Sequence, residues 1–219
     1  MAPFGSDDRA DVAAAATIVA AVPTWAANRR QIMSVAKQRF AKFGFDCDSL
    51  ADLATHANLS EPELLRHFRS KHDLLIAIFE EGWSAINPRV AEIMMTSVSA
   101  REATLAIVTS ILHLLEKDPE LTRLMLMEGR RTDPATGEIR VSRGYKRFMQ
   151  MCEDLAIRGQ KDGSFKMALE PHLIANMLTG SIEGLLRGRL MAEQAGDKNS
   201  YSSTQIVSTF DALVSQLRP

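Results

Sequence analysis

The sequence has few of the residues that stabilise small secreted domains or favour β-sheets. It contains two cysteines among 219 residues, Cys47 and Cys152, and has no CxxC pair or Cys/His cluster. A disulfide framework and a structural zinc site are therefore not expected, and this cysteine usage is typical of a reducing cytoplasm. Aromatic residues make up only 6% of the chain, whereas Met occurs 11 times. This composition favours helices over sheets.

The sequence also lacks the short motifs of common enzyme classes and a membrane span. No GxSxG, P-loop, HExxH or GxGxxG stands in a fitting context. His67 and His72 are five residues apart and do not share a helical face, so they form no metal pair. The run VAAAATIVAAVPTWAA is interrupted by Pro23 and follows an acidic stretch, unlike a signal peptide or a spanning helix. We therefore expect no catalytic residue, metal, cofactor or membrane partner.

The charge of the chain is nearly balanced, at −1, which excludes a polybasic nucleic-acid binder. The distribution is less even. Residues 28–75 hold eight Lys or Arg against six Asp or Glu, together with three of the five histidines. This segment is the most basic part of the chain, so any contact with a polyanion is expected there.

Helical periodicity extends along almost the whole chain and predicts an all-α fold of about nine or ten helices. We expect a helical N-terminal extension over residues 1–23, a three-helix domain over 24–75 and a larger helical domain over 76–219. Asp48 or Ser49 is expected to cap the second helix of the small domain. In the larger domain the pattern predicts a helix end or kink near Asn87, before Pro88, and helices over about 138–160, 171–194 and 203–217.

The segment from Leu50 to about His67 has the spacing of a helix-turn-helix. Ala54 is a small residue where the two helices would cross, and Asn58 tolerates the positive φ of the turn. Apolar residues that would hold the pair together are Leu50, Leu53, Leu59 and Leu64. Together, these features predict two short helices of which the second enters the DNA major groove.

Residues from Ile32 to about Ala77 resemble the N-terminal domain of the TetR family of transcriptional regulators. The resemblance rests on Ala36, Phe40, Gly44-Phe45, Asp48-Ser49-Leu50, Asp52-Leu53-Ala54, Ala57-Asn58-Leu59-Ser60, Leu64, His67-Phe68, Ser70-Lys71 and Leu74-Leu75. It implies a cytoplasmic homodimer that binds a double-stranded DNA operator. It also implies a repressor that a small apolar ligand, bound in the larger domain, releases from that operator. The alternative is a helical dimeric binding protein whose helix-turn-helix no longer reads DNA.

The residues of the DNA-reading segment depart from the family pattern at several contact positions. Asp48 stands where the family commonly has Thr, and Glu63 and Leu65 stand where it often has Thr and Tyr. Lys42 and Arg69 are further cations that could hold the DNA backbone. The predicted DNA contacts are Ser60, Glu61, Glu63, Arg66, His67, Lys71, Arg29 and Arg30.

The two glutamates of the second short helix allow three interpretations. Carboxylates at a helix N-terminus stabilise the helix through its dipole. A glutamate in the major groove can instead accept a hydrogen bond from cytosine N4. The third possibility is that Glu61 and Glu63 weaken DNA binding by repulsion.

Two further predictions concern the larger domain. Gly180, Gly184 and Gly188 recur every four residues and form a smooth stripe on one helix face. This stripe predicts either a four-helix dimer interface with the last helix or close packing within one subunit. Met residues, frequent here, can line an adaptable apolar pocket or fill a core. The predicted pocket lining is Trp83, His113, Glu128, Phe148 and Met151.

Overall fold

The computed structural model describes residues 24–130, 132, 136–197 and 201–217. The expected N-terminal extension, with its helix over about 8–21, lies outside these residues. Nine helices form the described part, and the only β-type pairing within it is an isolated bridge between Thr132 and Ile139. The all-α prediction is confirmed. The helices are α1 (Thr24–Phe43), α2 (Leu50–His56), α3 (Glu61–His67), α4 (Lys71–Thr96), α5 (Ala100–Glu116), α6 (Pro119–Met125), α7 (Arg143–Lys161), α8 (Pro171–Gln194) and α9 (Ser203–Ser215).

Local sequence signals determine the small domain formed by α1, α2 and α3. Gly44 ends α1 with a φ of 90°, and Asn58 provides the turn between α2 and α3 with a φ of 53°. Ser49 caps α2, and Asp52 completes a capping box with it, so the cap is not Asp48. The apolar faces meet in a core that contains Ile32, Ala36, Phe40, Leu53, Ala54 and Leu64.

Helix α4 is continuous through Pro88, so the predicted helix end near Asn87 is wrong. Ile86 and Val90 on either side of the proline are buried, and the Asn87 amide donates to the Gly144 carbonyl at 2.9 Å. These tertiary contacts outweigh the backbone hydrogen bond that the proline removes. The boundary expected at residues 75 and 76 therefore falls inside a helix that belongs to both domains.

Helix α7 begins at Arg143, five residues later than the sequence pattern indicated. The Ser142 hydroxyl caps it by accepting from the Tyr145 N–H at 3.0 Å. The Glu80 carboxylate accepts from the N–H groups of Arg143 and Gly144, at 2.7 and 3.1 Å. The start of α7 is thus fixed by a side chain 63 residues away, which periodicity cannot detect. Helix α9 ends at Ser215, two residues before the expected end.

Two glycines allow α7 to pack closely against its neighbours. A Cβ on Gly144 would overlap the Trp83 side chain of α4, and a Cβ on Gly159 would overlap the fully buried ring of Phe165. Both positions are helical, where glycine is otherwise about 1 kcal/mol worse than alanine. Close approach is therefore the reason for these glycines.

We expect Gly159→Ala to lower the free energy of unfolding by about 1–3 kcal/mol, since overpacking outweighs the gain in helix propensity. Chemical denaturation of the purified protein measures this. Lys146→Ala, at an exposed position on the same helix, is the control and is expected to change it by less than about 0.5 kcal/mol. A Gly159→Ala variant as stable as the control would contradict the close-packing explanation.

Candidate functional site

The outward face of α3 is the surface that the helix-turn-helix offers to DNA. Leu64 and the following Phe68 are buried and hold α3 against the small domain. Pro62 and Arg66 lie on the opposite side, and Leu65 lies beside them. The Arg66 side chain is 68% exposed and Leu65 is 42% exposed. This face therefore combines one projecting cation with apolar surface.

Glu63 is engaged within α3 and does not project freely. Its carboxylate accepts from the Ser60 N–H at 3.0 Å and from the Ser60 hydroxyl at 2.7 Å. These hydrogen bonds lower the pKa of Glu63, so it stays ionised at neutral pH. Arg66 is 3.8 Å from the same carboxylate. The geometry supports the helix-stabilising interpretation of Glu63 over contact with cytosine.

Several of the predicted DNA contacts are occupied by partners inside the small domain. The Arg29 guanidinium lies 4.3 Å from the centre of the Phe68 ring and donates to the His67 carbonyl at 3.4 Å. Lys71 donates to the Asp48 carbonyl at 2.7 Å. The first contacts tie α1 to the end of α3, and the last ties the start of α4 to the residues before α2.

His67 is covered by Trp25, whose ring centre is 3.8 Å away. Burial, and then the charge of Arg29, lowers the pKa of His67, so its ring is neutral at pH 7. His67 therefore brings no positive charge to the DNA-facing surface. The predicted contacts that remain exposed are Ser60, Glu61, Arg66 and Arg30.

Asp48 does not present a free charge to phosphate. It is buried, and Arg39 binds it with two hydrogen bonds of 2.6 and 2.8 Å. The Arg39 guanidinium lowers the pKa of Asp48 well below its ordinary value. Asp48 thus holds α1 to the start of α2.

The larger domain encloses two adjoining apolar cavities. The inner cavity, of about 50 Å³, is lined by Thr104, Ile107, Val108, Ile111, Phe148, Cys152, Leu155, Ala156, Phe165, Leu178, Thr179, Ile182 and Phe210. The outer cavity, of about 60 Å³, is lined by Trp83, Ile86, Ile111, Leu115, Thr122, Met125, Leu126, Tyr145, Phe148, Thr179, Ile182, Glu183 and Leu186. Ile111, Phe148, Thr179 and Ile182 line both, so the two apolar cavities adjoin and share these side chains as a common wall.

The structure separates the five residues predicted to line a pocket. Trp83 and Phe148 line the outer cavity, and their rings stack with centres 4.9 Å apart. Glu128 lies behind Trp83. His113 instead faces an open groove between α5 and α9, and Met151 packs against the core without lining either cavity. His113 and Met151 were assigned from composition and periodicity, which do not determine which face of a helix turns toward a cavity.

Glu128 anchors the wall of the outer cavity. It is buried, and it accepts from the Trp83 indole N–H and from the Ser142 N–H, both at 2.7 Å. Burial raises the pKa of Glu128 above its ordinary value despite these two donors. This carboxylate therefore fixes the orientation of Trp83 relative to the start of α7.

The Cys152 thiol behaves as part of the apolar lining of the inner cavity. Burial raises the pKa of the Cys152 thiol to about 12, so it stays protonated. Its location could not be read from the sequence. Nor could those of Ile111, Thr179 and Ile182, which no motif distinguishes from ordinary core residues.

A basic groove lies on the surface next to the outer cavity. It is lined by Glu80, Trp83, Ser84, Asn87, Pro88, Arg143, Gly144 and Arg147. Trp83 belongs to both the groove and the outer cavity. Arg143 is almost fully exposed, at 96% of its side chain, and Arg147 is exposed one helical turn later. An apolar interior and a cationic surface thus meet at one tryptophan.

Helix α6 connects the cavity wall to the small domain. Met125 and Thr122 of α6 line the outer cavity. At its other end, Asp118 caps α6 by accepting from the Leu121 N–H and forms a salt bridge of 2.6 Å with Lys37 of α1. Helix α6 therefore contacts both the outer cavity and α1.

The glycine stripe of α8 is only partly covered within the chain. A Cβ on Gly180 or Gly184 would meet no atom within 4 Å, whereas one on Gly188 would overlap the Tyr201 hydroxyl. Leu173, Met177 and Met191 on the same helix are large exposed apolar side chains. Packing within one subunit explains Gly188 but not Gly180 and Gly184.

The described residues contain neither a metal-binding cluster nor a membrane-spanning helix. No group of three or more His, Cys, Asp or Glu side chains there could hold a metal ion. Likewise, none of the helices in the described ranges is long and apolar enough to cross a membrane.

Comparison with known protein families decides between the alternatives. The family described as bacterial regulatory proteins, tetR family, matches residues 32–78. The C-terminal region of YsiA-like protein matches residues 79–210, more than half of the chain. The chain belongs to the TetR family. It is a ligand-responsive, DNA-binding transcriptional regulator, and the alternative of a binding protein without DNA recognition is not favoured.

Relatives and solved structures agree with this assignment. The fatty acid metabolism regulator protein of Bacillus subtilis is 22% identical over 80% of this chain and 89% of its own length. The transcriptional repressor KstR2 of Mycolicibacterium smegmatis is 23% identical over the same shares. The crystal structure of FadR from Bacillus subtilis in complex with stearoyl-CoA superimposes with a TM-score of 0.73, at 20% identity over 84% of this chain and 96% of that one. At this identity the structural match shows the fold.

The position of Glu63 generates a prediction about base recognition. Glu63→Ala removes the acceptor for Ser60 and is expected to destabilise the small domain without changing the preferred operator sequence. Glu63→Gln keeps a carbonyl acceptor and should resemble the unmodified protein in both respects. Selection from a random duplex pool and thermal unfolding measure the two properties. If both variants preferred a different base at one position, Glu63 would be reading that base.

Proposed function

We propose that the chain is a cytoplasmic, homodimeric repressor that a long-chain acyl thioester, such as an acyl-CoA, releases from its operator. The proposal rests on the two adjoining apolar cavities, because Trp83 lines both the outer cavity and the cationic groove on the surface. Such a ligand has a long hydrocarbon chain and an anionic head. The two parts of the candidate site match those two chemistries.

The interior supports an extended apolar ligand. The walls of both cavities are almost entirely hydrocarbon, and the Cys152 thiol among them is protonated. A bound acyl chain would gain about 0.8 kcal/mol for each buried methylene. FadR, which shares this fold, was crystallised with stearoyl-CoA. A compact polar ligand would find few partners in this interior.

The basic groove supports an anionic head group. Arg143 and Arg147 lie one turn apart on α7 and both are exposed. Guanidinium groups bind phosphate with paired, charge-assisted hydrogen bonds. Trp83 separates these cations from the outer cavity, so one molecule could occupy both places. This arrangement favours a thioester with a phosphorylated carrier over a neutral sterol-like ligand.

The small size of the cavities supports a release mechanism. Ligand pockets usually measure about 300–1,000 Å³, far more than the 50 and 60 Å³ found here. An acyl chain could therefore bind only if Met125, Leu126 and their neighbours moved outward. A ligand that fits only the expanded state shifts the population toward it. Through α6 and the Lys37–Asp118 pair, that state would reposition α1 and its reading helix.

The face of α8 that contains Gly180 and Gly184 supports the homodimer. These glycines are open, and exposed Met177 and Leu173 continue the row toward the start of the helix. The smooth surface would let α8 and α9 of one subunit pack closely on the same helices of the other. Two reading heads would then dock in successive major grooves of a near-palindromic operator.

The release mechanism is tested with the operator selected by the full-length protein. Stearoyl-CoA is expected to lower operator affinity, measured by fluorescence anisotropy, at concentrations where it binds the protein directly. Arg143→Ala combined with Arg147→Ala should weaken stearoyl-CoA binding by about tenfold or more, since two charge-assisted contacts are lost. The same variant should bind the operator normally.

Three controls distinguish this mechanism from detergent-like effects. Lys161→Ala removes an exposed cation at the far end of α7 and should leave stearoyl-CoA binding unchanged. Acetyl-CoA tests the acyl chain, and stearate tests the head group. If stearoyl-CoA tightened operator binding, or if acetyl-CoA released the operator equally well, the proposed mechanism would be wrong.

The dimer surface is tested by Gly184→Gln. Its side chain has room on a single subunit, so the helix content should be retained. It would block close approach of a second copy, so sedimentation should shift from a dimer toward the 24.2 kDa chain. Ala85→Gln, at an exposed position on α4, is the control and should remain dimeric. A dimeric Gly184→Gln variant would place the interface elsewhere.

A further inference from the structure

Leu65 is an exposed leucine on a helix whose purpose is to meet base pairs. Its neighbour Leu64 is completely buried, whereas Leu65 is 42% exposed. Two other large apolar residues of the small domain are exposed, and both have partners there. Trp25 stacks on His67, and Phe43 lies beside the charged groups of Arg39 and Lys42. Leu65 instead contributes its side chain to the outward surface of α3.

The other side chains on this surface leave Leu65 a distinct role. Glu63 is held toward Ser60 by two hydrogen bonds to its Oε2, and its Oε1 lies 3.8 Å from Arg66. Arg66 projects outward and can serve a phosphate or a guanine. Pro62, one turn before Leu65, has no side-chain donor or acceptor. Leu65 and Pro62 therefore form an apolar strip beside one cation.

The major groove offers one apolar group on its base edges, the C5-methyl group of thymine. Cytosine has only a hydrogen atom at C5, where thymine has its methyl group, so an apolar side chain would lose this contact on cytosine. We propose that Leu65 packs against a thymine methyl in each half of the operator and selects thymine over cytosine there. This inference rests on DNA reading by α3 and is independent of which ligand the larger domain binds.

Leu65 is continuous with the DNA-reading surface of α3, and this position favours a base as its partner over another apolar molecule. Leu65 lies next to Arg66 in the segment that the family match covers. A protein partner placed on Leu65 would also cover Arg66 and compete with the operator. The strip formed by Pro62 and Leu65 has the width of one or two side chains, which suits a methyl group.

Single-atom changes in the DNA provide the test. The full-length protein first selects its operator from random duplexes. Each thymine is then replaced in turn by deoxyuridine, which removes only the methyl group. One position in each half-site is expected to lose about fourfold in affinity, the value of one buried methyl group. In Leu65→Ala the same replacement should change affinity by less than a factor of about 1.5.

Restoring the methyl group on a different base provides a second test. Cytosine at the identified position should weaken binding, and 5-methylcytosine, which restores the methyl group, should recover part of the loss. Leu65→Met keeps an apolar contact and should retain the sensitivity to deoxyuridine. Arg66→Ala is the matched control, since it should lower affinity without removing that sensitivity.

Several outcomes would overturn the inference. Equal sensitivity to deoxyuridine in the unmodified protein and in Leu65→Ala would show that another residue contacts the methyl. An operator without a thymine requirement would exclude the contact altogether. Uniform weakening on all sequences in Leu65→Ala, with helix content unchanged by circular dichroism, would assign Leu65 a structural role. Absence of binding to any duplex would overturn DNA reading itself, and release by acyl-CoA would then have no operator to act on.

Discussion

The crossing of α4 and α7 at Gly144 is the constraint on which the rest of the larger domain depends. Only glycine lets the two backbones come this close, because a Cβ would overlap Trp83. Three side chains of α4 hold the crossing: Glu80 binds the first N–H groups of α7, Asn87 binds the Gly144 carbonyl, and Trp83 reaches Glu128. The crossing sets the position of Trp83, and so sets where the apolar interior meets the basic groove. Because α4 begins directly after the reading helix, the same crossing also anchors the small domain.

The hydrogen bonds of Glu128 oppose a displacement of Trp83 relative to α7. Both of its oxygens are hydrogen-bonded, yet burial still raises its pKa. This buried carboxylate would lose one of its two donors if Trp83 moved while α7 stayed in place. A ligand that expands the cavities is therefore expected to move Met125 and Leu126 of the α6 side before it moves Trp83. Since α6 is capped by Asp118 and bound to Lys37 of α1, that direction of movement leads to the reading head.

The sequence predicted the features that local chemistry determines. The Asn58 turn and the cap of α2 by Ser49 depend on residues within one or two turns, and the sequence indicated the turn and offered Ser49 as one of two cap candidates. The pairing of Ser60 with Glu63 is a local motif of the same kind. By contrast, the start of α7 depends on Glu80, and the passage of α4 through Pro88 depends on Asn87 meeting Gly144. Contacts over 57 to 64 residues leave no periodic signal.

The candidate site was predictable to the same extent. Trp83 and Phe148, two of the five residues predicted to line a pocket, line the outer cavity. Thr179 and Ile182 were not predicted, because residues of an apolar cavity and of a solid core have the same composition. The exposed basic groove was also missed: Arg143 and Arg147 form a site only because α7 begins where it does.

Several cations of the small domain are engaged in contacts within it. This explains why a change in the spacing between two DNA-reading heads could release DNA. Arg39 neutralises Asp48, Lys71 binds the Asp48 carbonyl, and Arg29 covers Phe68. These cations stabilise the domain and are not fully available to phosphate. Each phosphate contact contributes to affinity and to its salt dependence, so a single head with few free cations should bind weakly. In the proposed homodimer, tight binding would require two heads in register with two major grooves. A small rotation between the heads would then be sufficient to lose one of them, and with it most of the affinity.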